Sequence, residues 1–359
     1  MTQSYKTIHS CFKLNGFSYS KEELREVAYS LVKEGKFFEV SIGFFLLDWL
    51  SEKPTIEVKT SGSTGKPKTI VLKKEHMVNS ALATGSYFGL KAENKALLCL
   101  NTDFIAGKMM LIRAMALGLE LDCVEPISNP LKNISKVYDF TAMVPLQVET
   151  SLEELSQIKT LLVGGAPMPN SLKEKIQSLD TQIFETYGMT ETITHIAVKK
   201  INISSIRINN YFNTLPNIQI SQDSRNCLVI NAPNLSDKLI VTNDIVELIS
   251  DTEFQLLGRY DNIINSGGIK LIPEEIESIL SSIIENRFFV TGVPDKKLGE
   301  KLVLVVEGNI DVEVLKEKMK SELSSNKFKI PKKIYLVDTF LKTNNGKIIR
   351  KEIINKIFH

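Results

Sequence analysis

Thr60-Ser61-Gly62-Ser63-Thr64-Gly65-Lys66-Pro67-Lys68 places two glycines, a run of hydroxyl side chains and two lysines in nine consecutive positions. Gly62 and Gly65 let backbone N–H groups turn towards an anion, Ser61, Ser63 and Thr64 add donors, and Lys66 and Lys68 add positive charge. That is the chemistry of a loop that wraps polyphosphate; the plain alternative is a Gly/Ser-rich hairpin. The spacing is not that of the Walker loop, because the glycines are too close together and Pro67 stands where a helix-opening Ser or Thr is needed. Ile56-Glu57-Val58-Lys59 before the loop and Ile70-Val71-Leu72 after it read as strands, so the loop joins two strands and has no helix dipole beneath it.

Outward from this loop the pattern is α/β. Upstream, Ser20-Lys21-Glu22-Glu23 is a capping box that opens a helix running to about Gly35, and a second helix covers Phe37 to Leu50. Downstream, helices at about His76–Phe88 and Gly107–Leu117 alternate with short apolar strands at Ala96–Leu100, Leu119–Val124, Ala142–Val144 and Thr160–Val163, the signature of a parallel or mixed sheet. Beyond Gly258-Arg259-Tyr260-Asp261-Asn262 the remaining residues read as a smaller α/β unit. Its helix is opened by Pro273-Glu274-Glu275, strands follow at Phe288–Val293, Lys301–Val306 and Lys333–Val337, and a further helix spans about Val312–Leu323. The expected division is a large domain over residues 1–258, a hinge at 259–262 and a small mobile domain over 263–359.

Length and composition set bounds. The 359 residues, 43% of them hydrophobic, suffice for two globular domains. With 44 basic against 42 acidic residues the net charge of +2 is far from that of a nucleic-acid binder. Cys11, Cys99, Cys123 and Cys227 form no C-x-x-C pair and sit in or beside apolar runs, which reads as free thiols in a reducing compartment. The four histidines are dispersed, so a metal would be held by oxygen. The polar start and the absence of a long apolar run point to a cytoplasmic protein with no membrane span.

Three further stretches carry candidate chemistry. Leu161–Val163 runs into Gly164-Gly165-Ala166-Pro167, which puts backbone at the carboxyl edge of the sheet, where α/β proteins bind ligands. In Tyr187-Gly188-Met189-Thr190-Glu191-Thr192, Tyr187 offers a ring for a base, Thr190 a hydroxyl for a phosphate and Glu191 a hard oxygen for Mg²⁺. Thr242-Asn243-Asp244 is read as the end of the strand Leu239–Val241, where Asp244 could accept two hydrogen bonds from ribose hydroxyls. Each has a plain counterpart in a loop exit, a capped turn or a strand-end cap. Lys342-Thr343-Asn344-Asn345-Gly346-Lys347-Ile348-Ile349-Arg350 is a basic turn that would by itself be a solvated tail.

Taken in order, TSGSTGKPK, LLVGGAP, YGMTET, TND, GRYDN followed by INSGGIK and PEEIE, and TNNGKIIR resemble the core motifs of the adenylate-forming acyl-CoA synthetase family. The likeness spans Glu57 to the C-terminus, and FIAGKMMLIRAMALG and YGMTETITHIAVK look most like its o-succinylbenzoate–CoA ligase branch, which serves menaquinone synthesis. The chain departs from the pattern at Thr69, at Asn243 inside the T-G-D motif and at Leu341, and its phosphate loop lies unusually near the N-terminus.

The resemblance implies a ligase in which a carboxylate attacks the α-phosphorus of ATP to give acyl-AMP and pyrophosphate, after which the thiol of CoA takes the acyl group. It implies ATP, Mg²⁺ and coenzyme A as partners. Thr60, Ser61, Gly62, Ser63, Thr64, Gly65, Lys68, Gly164, Gly165, Ala166, Tyr187, Asp244 and Arg259 would lie around the nucleotide. Thr190, Glu191 and Lys347 would be catalytic, with Glu191 on the metal, and Asp261 would be the hinge residue. Gly267, Gly268 and Lys270 would serve thiolation. If the acid is o-succinylbenzoate, its second carboxylate needs a donor or a cation: Thr194 and His195 are the expected contacts, with Lys108 and Arg113 in reserve. A stand-alone adenylation enzyme loading a carrier protein, or a non-catalytic nucleotide-binding relative, would share these motifs, and a homo-oligomer stays open.

Overall fold

The structure is a computed structural model that describes residues 4–59, 68–202, 211–342 and 348–358. In chain order the first elements are β1 (Lys13–Leu14), α1 (Lys21–Glu34), α2 (Phe37–Trp49), β2 (Thr55–Lys59), β3 (Thr69–Lys73), α3 (Lys74–Phe88), β4 (Lys95–Leu98) and α4 (Ile105–Leu117). Next come β5 (Glu120–Cys123), β6 (Tyr138–Met143), α5 (Pro145–Thr150), β7 (Ile158–Val163), α6 (Asn170–Lys175), β8 (Gln182–Gly188), β9 (His195–Lys200) and β10 (Phe212–Thr214). The capping box forms as expected, with Glu23 N donating to Ser20 Oγ at 3.2 Å and Ser20 N to Glu23 Oε2 at 2.7 Å. β2 and β3 pair antiparallel with Lys59 opposite Thr69, so the glycine-rich stretch does connect two strands.

By contact the described residues form two compact units: residues 1–168, 172–219 and 230–240 in one, and residues 169–171, 220–229 and 241–359 in the other. In the first, the strand order β1-β5-β4-β6-β7-β8-β9-β10 is parallel through β8 and antiparallel for β9 and β10. Alternate residues of the parallel strands enter two separate cores: Ala96, Leu98 and Leu162 pack with α1–α4, while Leu97, Cys99, Leu161 and Val163 pack with Val148 and Leu172 of α5 and α6. A parallel sheet covered on both faces needs strands that are apolar throughout, which is why they read as short continuous hydrophobic runs. Lys74, fully buried at the start of α3, donates to the carbonyls of Asp48, Trp49 and Ser51 at 2.8, 2.8 and 2.9 Å and so closes the carboxyl end of α2.

The second unit is built on β11 (Gln219–Gln222), β12 (Cys227–Asn231), β13 (Ile240–Leu248) and β14 (Glu253–Arg259), and on a second sheet. That sheet takes β15 (Ile264–Ser266), β16 (Ile269–Leu271), β17 (Phe288–Asp295), β18 (Gly299–Glu307) and β19 (Lys333–Val337), with helices α7 (Pro273–Leu280), α8 (Val312–Glu322) and α9 (Arg350–Phe358). Val290 and Leu304 face α7 and α8, and Phe289 and Val305 face Ile353 of α9.

One reading needs correction. β13 does not stop at Val241: it continues through Thr242, Asn243 and Asp244, which therefore lie inside a long strand with Asp244 opposite Arg259. The apolar run ends there because Thr242, Asn243 and Asp244 put polar side chains on both faces of a strand that continues to pair with β14, not because the strand ends. By compactness residues 241–258 fall with the smaller unit: Asn262 donates to Glu274 of α7, and a side chain on Gly258 would run into that carboxylate. No helix among the described residues is long and apolar enough to cross a membrane.

Candidate active site

The parallel strands deliver two loops to their carboxyl ends. After β7, Gly164 N donates to Met143 O at 3.1 Å, and a Cβ on Gly164 would lie 2.5 Å from Thr186 Oγ1 of β8, so a larger residue here would displace that hydroxyl. Gly165 follows at φ +85°, a conformation that favours glycine. The loop is held by Glu185, whose Oε1 accepts from Met168 N at 3.2 Å and whose Oε2 lies 2.9 Å from Lys199 and 3.6 Å from Lys173. Burial pushes this carboxyl up, but the two lysines outweigh it and hold it below the usual range.

β8 ends in a bulge at Tyr187 and Gly188 and enters a 3₁₀ turn, Thr190–Thr192. The Tyr187 ring is 7% exposed and packs 5.9 Å from Phe212. Thr190 is half-buried, and Glu191 is exposed with no ion-pair partner among the described residues. Met189 N donates to Thr192 Oγ1 at 2.9 Å, and that hydroxyl reaches the Thr194 carbonyl at 2.7 Å. The next residue, Ile193, is buried and β-branched yet sits at φ +68°, ψ −58°, with Thr194 N donating to Thr192 O at 2.8 Å across it. This is a three-residue γ-turn of the strained hand, which costs of order 1–3 kcal/mol. It turns the chain from Glu191 on one side to Thr194 and His195 on the other.

Thr194 and His195 meet Arg113 of α4. Arg113 Nη2 lies 3.2 Å from Thr194 Oγ1 and 3.4 Å from His195 Nδ1, and His195 Nε2 lies 3.4 Å from Thr84 Oγ1 on α3. The guanidinium is 2% exposed, its Nε has no partner, and no carboxylate is in ion-pair reach of it among the described residues. Burial alone pushes it down to about 9, so it is still a cation at neutral pH. Burial, then the neighbouring Arg113, drive His195 well below the ordinary imidazole value, so its ring is neutral. Lys108 is not part of this cluster: its ammonium donates to the Thr102 carbonyl and lies 5.3 Å from the centre of the Phe45 ring.

A second cluster lies within the smaller unit. Arg259 Nη1 is 3.4 Å from Asp244 Oδ1 and its Nη2 3.1 Å from Asp261 Oδ2. Asn243, the departure from T-G-D, donates to both Asp261 oxygens at 3.2 and 3.1 Å and accepts from Arg225 Nη1 at 2.8 Å. Gly267 and Gly268 form the β15–β16 turn at φ +60° and +84°, exposed beside an exposed Lys270. Arg350 Nη1 and Nη2 each lie 2.9 Å from the Glu277 carboxylate, and Lys342 Nζ lies 3.7 Å from Glu307 Oε1, so both ends of the terminal motif are tied to the unit.

Thr60, Ser61, Gly62, Ser63, Thr64, Gly65 and Lys347 lie outside the described residues, and Lys68 is exposed at the edge of β3. The sequence names Arg113 only in reserve and does not point to Thr84, Glu185 or Ile193. A single guanidinium in IAGKMMLIRAMAL, a helix with nine buried residues of thirteen, was the available signal for Arg113. The others look like ordinary helix or strand positions.

The AMP-binding enzyme family matches residues 58–218, and the AMP-binding enzyme C-terminal domain matches residues 275–347. A 2-succinylbenzoate–CoA ligase of Lactococcus lactis is 26% identical over 327 residues, covering 85% of this chain and 72% of that protein. Among solved structures, an acyl-CoA synthetase (AMP-forming)/AMP-acid ligase II-like protein from Dyadobacter fermentans is 35% identical with a TM-score of 0.61, covering 93% of this chain and 98% of that one. The o-succinylbenzoate coenzyme A synthetase of Bacillus subtilis in complex with ATP and magnesium has a TM-score of 0.72 over 93% of this chain and 82% of that one; at 21% identity this is a likeness of fold. Two family regions matched in order, and a relative 35% identical across nearly all of its length, establish that the chain belongs to the AMP-binding, adenylate-forming enzymes.

Proposed function

We propose that the protein is an AMP-forming acid–CoA ligase whose acid is o-succinylbenzoate. The observation that carries the choice of acid is Arg113, a buried cation with no carboxylate partner among the described residues, placed on Thr194 and His195 just beyond the Glu191 turn. An unpaired buried charge costs several kcal/mol, so a fold that keeps one is built to have it paired by a ligand. o-Succinylbenzoate has two carboxylates: the succinyl one reacts, and the aromatic one pairs with Arg113. A simple fatty acid would leave the guanidinium unpaired. The curated relatives named 2-succinylbenzoate–CoA ligase support the same acid.

In the first half-reaction the ionised succinyl oxygen attacks the α-phosphorus of ATP and the bond to pyrophosphate breaks, leaving acyl-AMP. No general base is needed; charge on the phosphoryl oxygens must be stabilised. Thr60–Gly65 and Lys68 surround the phosphates, Thr190 donates to a phosphoryl oxygen, and Gly164–Ala166 and Tyr187 border the nucleoside. Asp244 and Arg259 take the ribose. The exposed Glu191 carboxylate would hold Mg²⁺, which would supply neutralisation of charge on the phosphoryl oxygens. Lys347 reaches the reacting phosphate in this half. In the second half the CoA thiol attacks the acyl carbonyl and AMP leaves, with Gly267, Gly268 and Lys270 presented instead after a rotation of residues 263–359 about 259–262, pivoting at Asp261. Four free cysteines fit a reducing, cytoplasmic setting.

The test is ATP–pyrophosphate exchange over a panel of carboxylic acids, followed by addition of CoA or of a phosphopantetheinyl carrier protein. Exchange with o-succinylbenzoate and a CoA thioester are expected. Exchange driven only by another acid refutes the substrate, and acyl transfer only to the carrier refutes the acceptor.

A further inference from the structure

We propose that Thr84, on α3, is a positioning residue for acid recognition: through His195 it fixes the Arg113 guanidinium in the orientation that receives the second carboxylate. This rests on the acid assigned above. The argument is one of hydrogen-bond direction. Arginine nitrogens only donate, so His195 Nδ1, 3.4 Å from Arg113 Nη2, must present its lone pair. The ring hydrogen of the neutral imidazole is then on Nε2, which faces Thr84 Oγ1 at 3.4 Å. Thr84 can accept it, because its own hydrogen is directed to the Ser80 carbonyl at 3.0 Å, one turn back along α3. The chain of donors therefore runs one way, from Arg113 to His195 to Thr84 to a helix carbonyl.

The opposite tautomer would set an N–H of His195 against a guanidinium N–H and would need Thr84 to withdraw its hydrogen from Ser80. Thr84 is fully buried and His195 is 6% exposed, so bulk water does not replace either partner. With His195 and Thr194 holding one edge of the guanidinium, Arg113 Nε is left uncommitted. A planar carboxylate can take donors from such a fork in a fixed direction, which is the geometry that discriminates a dicarboxylate from a monocarboxylate.

The experiment has two arms, each run on wild type, Thr84→Val and Thr84→Ser. In the first, the protein is labelled with ¹⁵N-histidine and the His195 resonances, assigned by their loss in His195→Gln, report the tautomer at neutral pH. Wild type and Thr84→Ser should show the hydrogen on Nε2, and Thr84→Val a mixture. In the second, kcat/KM is measured for o-succinylbenzoate and for the analogue lacking the aryl carboxylate. Thr84→Val should narrow the ratio by about 10-fold, through KM for the dicarboxylate, with the analogue unaffected, and Thr84→Ser should restore it. Hydrogen on Nδ1 or a charged ring in wild type overturns the relay, as does a Thr84→Val protein with wild-type tautomer and ratio. A wild-type ratio near one overturns the acid assignment and the role of Thr84 with it. The two failures are distinguishable because the first leaves the wild-type preference intact.

Discussion

Arg113 and His195 show how burial sets the chemistry of single residues. A cation and an imidazole side by side, both shielded from water, cannot both be charged, and the imidazole is the one that gives way because its ordinary pKa is far lower. The sign of the consequence follows from linkage. The folded value of His195 is depressed below its unfolded value near 6.5, so the unfolded chain takes a proton that the folded protein refuses as pH falls. His195 therefore contributes stability above about pH 6.5 that is lost on acidification below it. The Tm difference between wild type and His195→Gln should shrink as pH is lowered from 7.5 to about 5.5; a difference independent of pH would mean that the ring takes up its proton as readily in the folded as in the unfolded chain. None of this was legible from the residue string. Thr194 and His195 could be named because they follow Glu191, but their link to Arg113, 81 and 82 positions earlier, is made by packing of α4 against the start of β9.

At the scale of elements, motif and periodicity gave reliable positions where one physical signal dominated. The capping box at Ser20, the alternation around Gly62 and Gly65 and the proline at the start of α7 each specify a local conformation, and α1, the β2–β3 hairpin and α7 follow them. β13 runs past its apolar start because three consecutive polar residues inside a paired strand give the same loss of hydrophobicity as a strand end. Lys74 was invisible for a similar reason: lysine reads as a surface residue, yet its ammonium replaces the missing intrahelical donors of α2. Lys74→Met keeps the length of the stem and removes those donors, leaving buried carbonyls at the α2 end. It should destabilise the first unit by about 3 kcal/mol, read as a lower midpoint in urea. An unchanged midpoint would show that water reaches those carbonyls.

For the molecule as a whole, the order of motifs carried more than any one of them, since each has a plain structural counterpart and only their succession matches a family. In the proposed mechanism the two half-reactions make opposite demands on residues 263–359, so residues serving one should be dispensable for the other. Lys347→Ala should lose adenylation by about 10² or more while still converting supplied acyl-AMP and CoA into thioester; equal loss in both would point to a general electrostatic effect. What the sequence could not rank was the proposed acid contacts, because the decisive feature is a buried cation with no carboxylate in ion-pair reach among the described residues, and that exists only in the fold. The most direct measurement is therefore the ratio of kcat/KM for o-succinylbenzoate to that for its analogue lacking the aryl carboxylate, in wild type and in Arg113→Met. Removing a charged hydrogen-bonding partner costs roughly 1.5–3 kcal/mol, so the ratio should be large in wild type and fall about 10- to 150-fold in Arg113→Met. Equal use of the two acids by wild type, or an unchanged ratio in the variant, would contradict the account.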